Sequence, residues 1–195
     1  MGFKEAIETR NCCSVGIRMI PCPDMCVVDT NVPIVANHAT NYDETNTIPL
    51  ECLKACLEAI EHVVNKGGLV IDDNGEIFEE YSRYLSFKGE PGLGDLFMKW
   101  VHDYQWNPDK VSRISINRSD NTYIEFPEHD DLVNFDKSDR KFVAVANAHP
   151  DKPPILQATD SKWWGWKDAL SEVGVAVRFL CQNYVQEKYS KKIGR

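Results

Sequence analysis

The sequence predicts an α/β fold, a three-layer α/β/α sandwich with a mostly parallel central sheet. Three observations predict it. Short apolar runs of strand length stand at 25–29, 69–71, 111–116, 155–159 and 175–179. Between them lie stretches whose apolar residues recur at helical spacing, and strands that alternate with helices build parallel sheets covered on both faces. The 195 residues, 43% of them apolar, suffice for one such core but not for two full domains.

Each element has its own justification. Met25, Cys26, Val27 and Val28 read as a buried strand ending in Asp29, after which Thr30 and Asn31 lead to a short helix opened by Pro33 and running to about His38. Residues 41–47 are polar and read as loop. Leu53, Leu57, Ile60, Val63 and Val64 line one face of a helix that begins near Leu50 and stops at Gly67-Gly68. Leu69, Val70 and Ile71 form the next strand, and 72–75 a turn.

Ile77, Phe78, Tyr81 and Leu85 then describe an amphipathic helix that carries Glu79 and Glu80. After a Gly/Pro loop at 89–94, Asp95 is expected to N-cap a helix with the stripe Leu96, Phe97, Trp100, Val101 and Tyr104. The pattern is weakest over 106–135, with a strand at 111–116 and an acidic loop around 128–131. Ser138-Asp139 starts a helix through Phe142, Val143 and Ala146 that ends at the prolines from Pro150 to Pro154. A strand at 155–159, a short helix from Trp166, a last strand at 175–179 and a C-terminal helix ending in Lys191-Lys192 follow. The domain organisation is an N-terminal extension over 1–24, a core domain over 25–180 with an insertion at about 89–135, and a C-terminal helix and basic tail over 181–195.

The formal net charge of -8 excludes a protein that coats nucleic acid electrostatically. It does not exclude an enzyme whose carboxylates hold divalent cations, because the ions neutralise that charge in use. No apolar run is long enough to span a membrane, and residues 1–20 lack the continuous apolar core of a signal peptide. Seven cysteines, an odd number that includes the adjacent pair Cys12-Cys13, fit a reducing cytoplasm. Cys22 with Cys26 and Cys52 with Cys56 invite a zinc reading, but neither pair has the short spacing of common zinc knuckles, so small buried thiols are expected instead.

The acids stand at telling places. Asp29 ends the first strand, Glu80 lies on the helix after the second, Asp139 opens a helix, and Asp160 ends the strand at 155–159. Parallel strands share one C-terminal rim, so Asp29 and Asp160 converge there if their strands are neighbours, and the first turn of the Asp139 helix reaches the same rim. Carboxylates gathered so closely repel one another. One or two Mg²⁺ or Mn²⁺ ions, which favour oxygen ligands, would give the gathering a purpose.

Four strings carry a family resemblance. VVDTNV at 27–32, IFEEY at 77–81, DRKFVAVANAH at 139–149 and ILQATD at 155–160 resemble, in order, the four acidic blocks of the PIN-domain nucleases. The likeness spans roughly 25–179, while the long segment 89–135 and both ends of the chain depart from the family's core pattern. It implies a PIN-like fold and a metal-dependent phosphodiesterase, usually acting on RNA. Asp29, Glu80, Asp139 and Asp160 would be the catalytic acids and metal ligands, with Thr30, Asn31 and Thr159 as supporting polar groups. The expected activity is endonucleolytic hydrolysis of single-stranded RNA by metal-activated water. The expected setting is a toxin of a toxin–antitoxin pair or a defence-system effector, with an antitoxin or defence protein as partner. Single-stranded DNA is the alternative substrate, and a non-cutting scaffold that binds nucleic acid or protein is the alternative class. No membrane partner is expected, and a homodimer is left open.

Plainer readings stand beside these. Asp29 and Asp139 are each placed to cap or stabilise a helix N-terminus. Glu79 and Glu80 cannot both face one pocket, and the apolar stripe Ile77, Tyr81 and Leu85 favours Glu80. Asp136 is either an extra ligand one turn before Asp139 or a solvated loop acid. Gly92 and Gly94 read as a turn rather than a phosphate cradle. Trp163 and Trp164 could stack on an unpaired base at the rim; alternatively Trp163 and Trp166 pack inward while Trp164 covers a sheet edge.

Overall fold

In the computed structural model, which describes residues 22–39, 47–86 and 88–193, the first apolar run becomes strand β1 (Val27–Val28). Most of the expected N-terminal extension, with Cys12 and Cys13, and most of the loop expected at 41–47 lie outside the described residues. After β1 come helices α1 (Asn31–Asn37) and α2 (Leu50–Lys66), strand β2 (Leu69–Asp72), and helices α3 (Glu76–Tyr84) and α4 (Leu93–Tyr104). Strand β3 (Val111–Ile114) leads into a small hairpin of β4 (Arg118–Ser119) and β5 (Thr122–Tyr123). A 3₁₀ turn (Asp130–Leu132), helix α5 (Arg140–Ala148), strand β6 (Ile155–Gln157), helix α6 (Lys162–Glu172), strand β7 (Val177–Phe179) and helix α7 (Gln182–Ile193) complete the order.

The fold is mixed α/β with small, mostly parallel sheets. β1 pairs in parallel with β6, setting Val27 opposite Ile155 and Val28 opposite Leu156, and β6 pairs in parallel with β7. β2 pairs in parallel with β3 from Leu69–Val111 to Asp72–Ile114. A parallel bridge between Cys26 and Leu69 joins the two sets, with Cys26 N donating to Gly68 O and Val70 N to Cys26 O, each at 2.9 Å. The strand order across this array is therefore β3-β2-β1-β6-β7, and among the described residues only the β4–β5 hairpin is antiparallel. The chain steps outward from β1 through β2 to β3, then returns to the far side of β1 with β6. That reversal places a switch point between β1 and β6, where open α/β sheets leave a crevice beyond their strand ends.

Burial follows the apolar pattern. Val27, Val28, Leu69, Val70, Ile71, Ile155 and Leu156 are wholly buried, as strands covered on both faces require. α5 packs over β1, β2 and β6, whereas α1 packs on α2 and α4. Gly68 ends the α2 turn with φ +82°, and a Cβ there would stand 1.8 Å from Asp24 O, so backbone approaches backbone at the entry to β2.

Several expectations shift. The segment 89–135 contributes α4 and β3 to the core, so the part outside the parallel array narrows to 115–135. Asp72 belongs to β2 rather than a turn, and its carboxylate accepts from Glu76 N at 2.7 Å and Ile77 N at 2.8 Å, which starts α3. Gly92, not Asp95, is the N-cap of α4. Asp95 sits at the third helical position and reaches back to Gly92 N at 2.9 Å, to Ser86 N at 2.8 Å and to Asn37 Nδ2 at 3.0 Å. α6 begins at Lys162, four residues before the expected start at Trp166, and so takes up all three neighbouring tryptophans. No described helix is long and apolar enough to cross a membrane.

Candidate active site

Asp29 stands one residue beyond β1 and is 1% exposed. Its Oδ1 accepts from Asn31 N and Asn31 Nδ2, each at 2.9 Å, and from Gln157 Nε2 at 3.4 Å. The cap reading is thus correct in part, since this carboxylate meets the first N–H of α1. Asn31 supports Asp29 directly. Thr30 instead donates its hydroxyl to Glu80 Oε1 at 2.7 Å, so the two residues after β1 serve two different acids. Tyr81, fully buried, donates to Val28 O at 2.5 Å and anchors α3 against the end of β1. That anchor turns Glu80 inward while the neighbouring Glu79 stays exposed beside Arg83 at 3.9 Å.

Asp139 occupies the N-cap position of α5, yet its side chain makes no capping bond. Its Oδ2 accepts from Trp163 Nε1 at 3.1 Å and its Oδ1 from Ser138 Oγ at 3.3 Å. Asp139 therefore makes no capping hydrogen bond, although it stands at the N-terminal end of α5, where the helix dipole favours an acid. Asp160 accepts from Lys162 N at 2.9 Å and starts α6. Asp136 is tied to Lys162 Nζ at 3.0 Å and to Ser138 Oγ at 2.8 Å, an exposed arrangement that holds it at the rim. Thr159 is half-buried just past β6 and bonds to none of the four acids among the described residues.

The electrostatics show which acids meet. Burial, then repulsion from Asp139 and more weakly from Glu80, pushes the Asp29 carboxyl up to about 8, against the lowering effect of the Asn31 bonds. Burial, then Asp136, raises Asp139 to about 6; the Trp163 bond opposes this, and Asp160 and Glu80 add to it. Asp136 moves the other way, held below the usual carboxylate range chiefly by its bond to Lys162. Asp29, Glu80, Asp139 and Asp160 therefore form one connected electrostatic set at the β1–β6 switch point.

Four contributors escaped the sequence reading. Lys141 of α5 is 7% exposed; its ammonium pairs with Glu80 and donates to Ser138 O. Gln157, at the end of β6, presents a buried Oε1 without a hydrogen-bond partner, and so does the Oγ of Ser161 beside Asp160. Tyr81 is the fourth. Lys141 and Gln157 lie within the DRKFVAVANAH and ILQATD strings, where they read as filler between an acid and an apolar run.

The tryptophans divide. Trp163 is fully buried, with its ring edge-on to Phe135 at 5.0 Å, so it is unavailable to stack on a base and the expectation for it is corrected. Its role is to hold Asp139. Trp166 packs on the same Phe135 at 4.7 Å, and Trp164 lies half-buried against Phe179 of edge strand β7 at 5.2 Å with Lys167 over its face. Both rings are thus engaged by the protein, as the packing alternative expects. Gly92 and Gly94 are likewise packing residues, since a Cβ on Gly94 would stand 1.9 Å from Pro33 O where α4 crosses α1. Of the cysteines in the two pairs, Cys26, Cys52 and Cys56 are buried and Cys22 is half-buried, none of them in a disulfide, and a hydrogen bond to Cys181 followed by burial pushes the Cys52 thiol up.

Among the described residues, no group of three or more His, Cys, Asp or Glu is arranged to hold a metal ion. Lys141 and Thr30 engage Glu80, and the backbone of Lys162 engages Asp160, which accounts for this in part. The donor chemistry nonetheless suits a hard cation: the buried Asp29 and half-buried Asp139 carboxylates, driven up first by burial and then by neighbouring acids, and the unpartnered oxygens of Gln157 and Ser161 are all oxygen donors. No protein-family model matches the chain, and neither a curated protein nor a solved structure does.

Proposed function

We propose that this chain is a PIN-like, Mg²⁺- or Mn²⁺-dependent endoribonuclease that hydrolyses phosphodiester bonds of single-stranded RNA. The observation that carries the reading is Asp29. A fully buried carboxylate facing two further acids opposes folding unless something uses it, and here it sits at the switch point where open α/β sheets bind ligands. The order β3-β2-β1-β6-β7 supports the three-layer arrangement as well, because right-handed crossovers would send α1 to α4 to one face and α5 and α6 to the other.

In this reading Asp29 and Asp139 would hold the ion together with Glu80 and Asp160. When bound, a divalent cation supplies an acidified water and neutralises charge on a phosphate oxygen. The chain's own residues do the rest. Asn31 and Gln157 aim the Asp29 carboxylate, Trp163 aims Asp139, and Thr30 aims Glu80. Among the described residues no His, Cys or Ser is placed as a nucleophile, so water is the attacking group in this reading. A toxin or defence-effector role, with a protein antagonist as partner, is the setting such an activity fits.

A second reading has one observation in its favour. The Lys141–Glu80 pair already neutralises one acid, as in a scaffold that binds nucleic acid or protein without cutting. The deciding experiment incubates purified protein with labelled single-stranded RNA, and separately with single-stranded DNA, in Mn²⁺, Mg²⁺ or EDTA, beside Asp29→Asn. Metal-dependent cutting of RNA that the variant loses is the expected result. Cutting of DNA alone would reassign the substrate, and cutting of neither by folded protein would favour the scaffold.

A further inference from the structure

Among the described residues, Lys141 is the only Lys or Arg that is buried. It stands on a helix whose next five positions, Phe142, Val143, Ala144, Val145 and Ala146, are all buried and apolar. Its ammonium pairs with Glu80, donates to Ser138 O, and lies 5.0 Å from the Phe142 ring. Burying an ion pair contributes little to stability that an apolar pair could not, so stability alone does not account for a lysine here. Its surroundings do. Glu80 is one of the acids whose charge raises Asp29 and Asp139, and Lys141 is the cation paired with it, as the exposed Lys162 is with Asp136 at the rim.

We propose that Lys141 is a tethered counter-cation: it holds Glu80 while the acidic cluster is free of metal and is exchanged off Glu80 when a divalent cation binds. The inference rests on the metal-dependent reading above. Lys141 has somewhere to go, because with Arg83, Arg118, Lys137 and Tyr123 it lines a pocket of about 160 Å³ that opens beside Glu80. A flexible four-carbon stem can move its ammonium into that pocket without moving α5. Lys141 thus sets the threshold concentration of cation at which the site fills, a positioning role rather than contact with the reacting atoms.

The test measures Mn²⁺ binding by calorimetry without RNA, and the rise in melting temperature on adding Mn²⁺, for wild type, Lys141→Gln and Lys141→Arg. The Gln side chain keeps a donor for Glu80 but removes the competing charge. It is expected to bind Mn²⁺ at least about tenfold more tightly and to gain more melting temperature from the ion. Lys141→Arg, still charged, is expected to stay within about threefold of wild type, under 1 kcal/mol. Equal or weaker binding by Lys141→Gln overturns the inference. Should Lys141→Gln fail to fold, Glu80→Gln with Lys141→Met leaves no unpaired charge and carries the same test. Its affinity is expected near wild type despite the lost carboxylate, and a loss of about tenfold or more would count against the exchange. If RNA cutting is intact in wild type while Lys141→Gln binds Mn²⁺ no better, this inference fails alone. If neither wild type nor variant binds Mn²⁺, it fails together with the metal-dependent reading.

Discussion

Replacing Asp29 by Asn should make the metal-free protein more stable, and more so as pH rises. The side chain is 1% exposed, and its carboxyl is raised from the ordinary 3.8 to about 8, first by burial and then by Asp139. A native pKa raised above the unfolded value means the folded state binds the extra proton. Stability is therefore full below about pH 4 and is lost as pH climbs toward 8, beyond which the loss is complete. Each pH unit in that window is worth about 1.4 kcal/mol, an upper bound of several kcal/mol in all. Asp139 and Glu80 share the repulsion, and relaxation on ionisation lowers it further, so about 2 kcal/mol is expected at pH 8. For a chain of this size that is a rise of roughly 4–8 °C in melting temperature. Asn keeps an oxygen for the bonds from Asn31 and offers an NH₂ toward the neighbouring acids. Thermal melts of both proteins in EDTA, from pH 5 to pH 9, read the difference directly. A variant that melts below wild type at pH 8, or a difference that does not grow with pH, would refute the reasoning and leave Asp29 as a structural cap of α1.

Three further outcomes are expected. Gly94→Ala puts a methyl 1.9 Å from Pro33 O and must separate α4 from α1, a cost of roughly 3 kcal/mol, visible as a lower urea midpoint with fluorescence or circular dichroism as the probe. Tyr81→Phe removes the donor to Val28 O and should cost about 1 kcal/mol; an unchanged melting temperature would show that the contact does not tie α3 to β1. Trp163→Phe keeps a ring against Phe135 but deletes the bond that lowers Asp139, so the acidic limb of the cleavage profile should move to higher pH. A profile displaced downward, or not at all, would deny Trp163 its part in holding Asp139.

The sheet positions were legible because each depends on a local pattern. Val27-Val28, Leu69 to Ile71 and Ile155-Leu156 are uninterrupted β-branched or aliphatic runs, and Gly67-Gly68 ends α2 where the dipeptide stands. The start of α6 was misplaced because Trp163 and Trp164 precede the residues that carry a clear helical stripe, while Ser161 already sits at its N-cap. Asp95 looked like a cap because Asp usually is one. Gly92 holds that position instead, where the approach of Asn37 leaves room only for glycine.

For the site itself, the sequence alone determined which acids were candidates and that Asp29 and Asp160 would share a rim, because side chains that follow parallel strands come out on one edge whatever the packing. It also placed Glu80 on the inward side of α3 from the apolar stripe. Only the tertiary structure decided what those acids touch. Thr30 meets Glu80 across 50 positions, which depends on α3 being held against the end of β1, and Gln157 meets Asp29 across 128, which depends on β6 lying beside β1. Lys141 reads in sequence as an ordinary basic residue near a helix start, and burial against Glu80 is what makes it a counter-charge. Local periodicity is written in neighbouring residues, whereas the charge balance of a site depends on strand order and on which side chains lose water together.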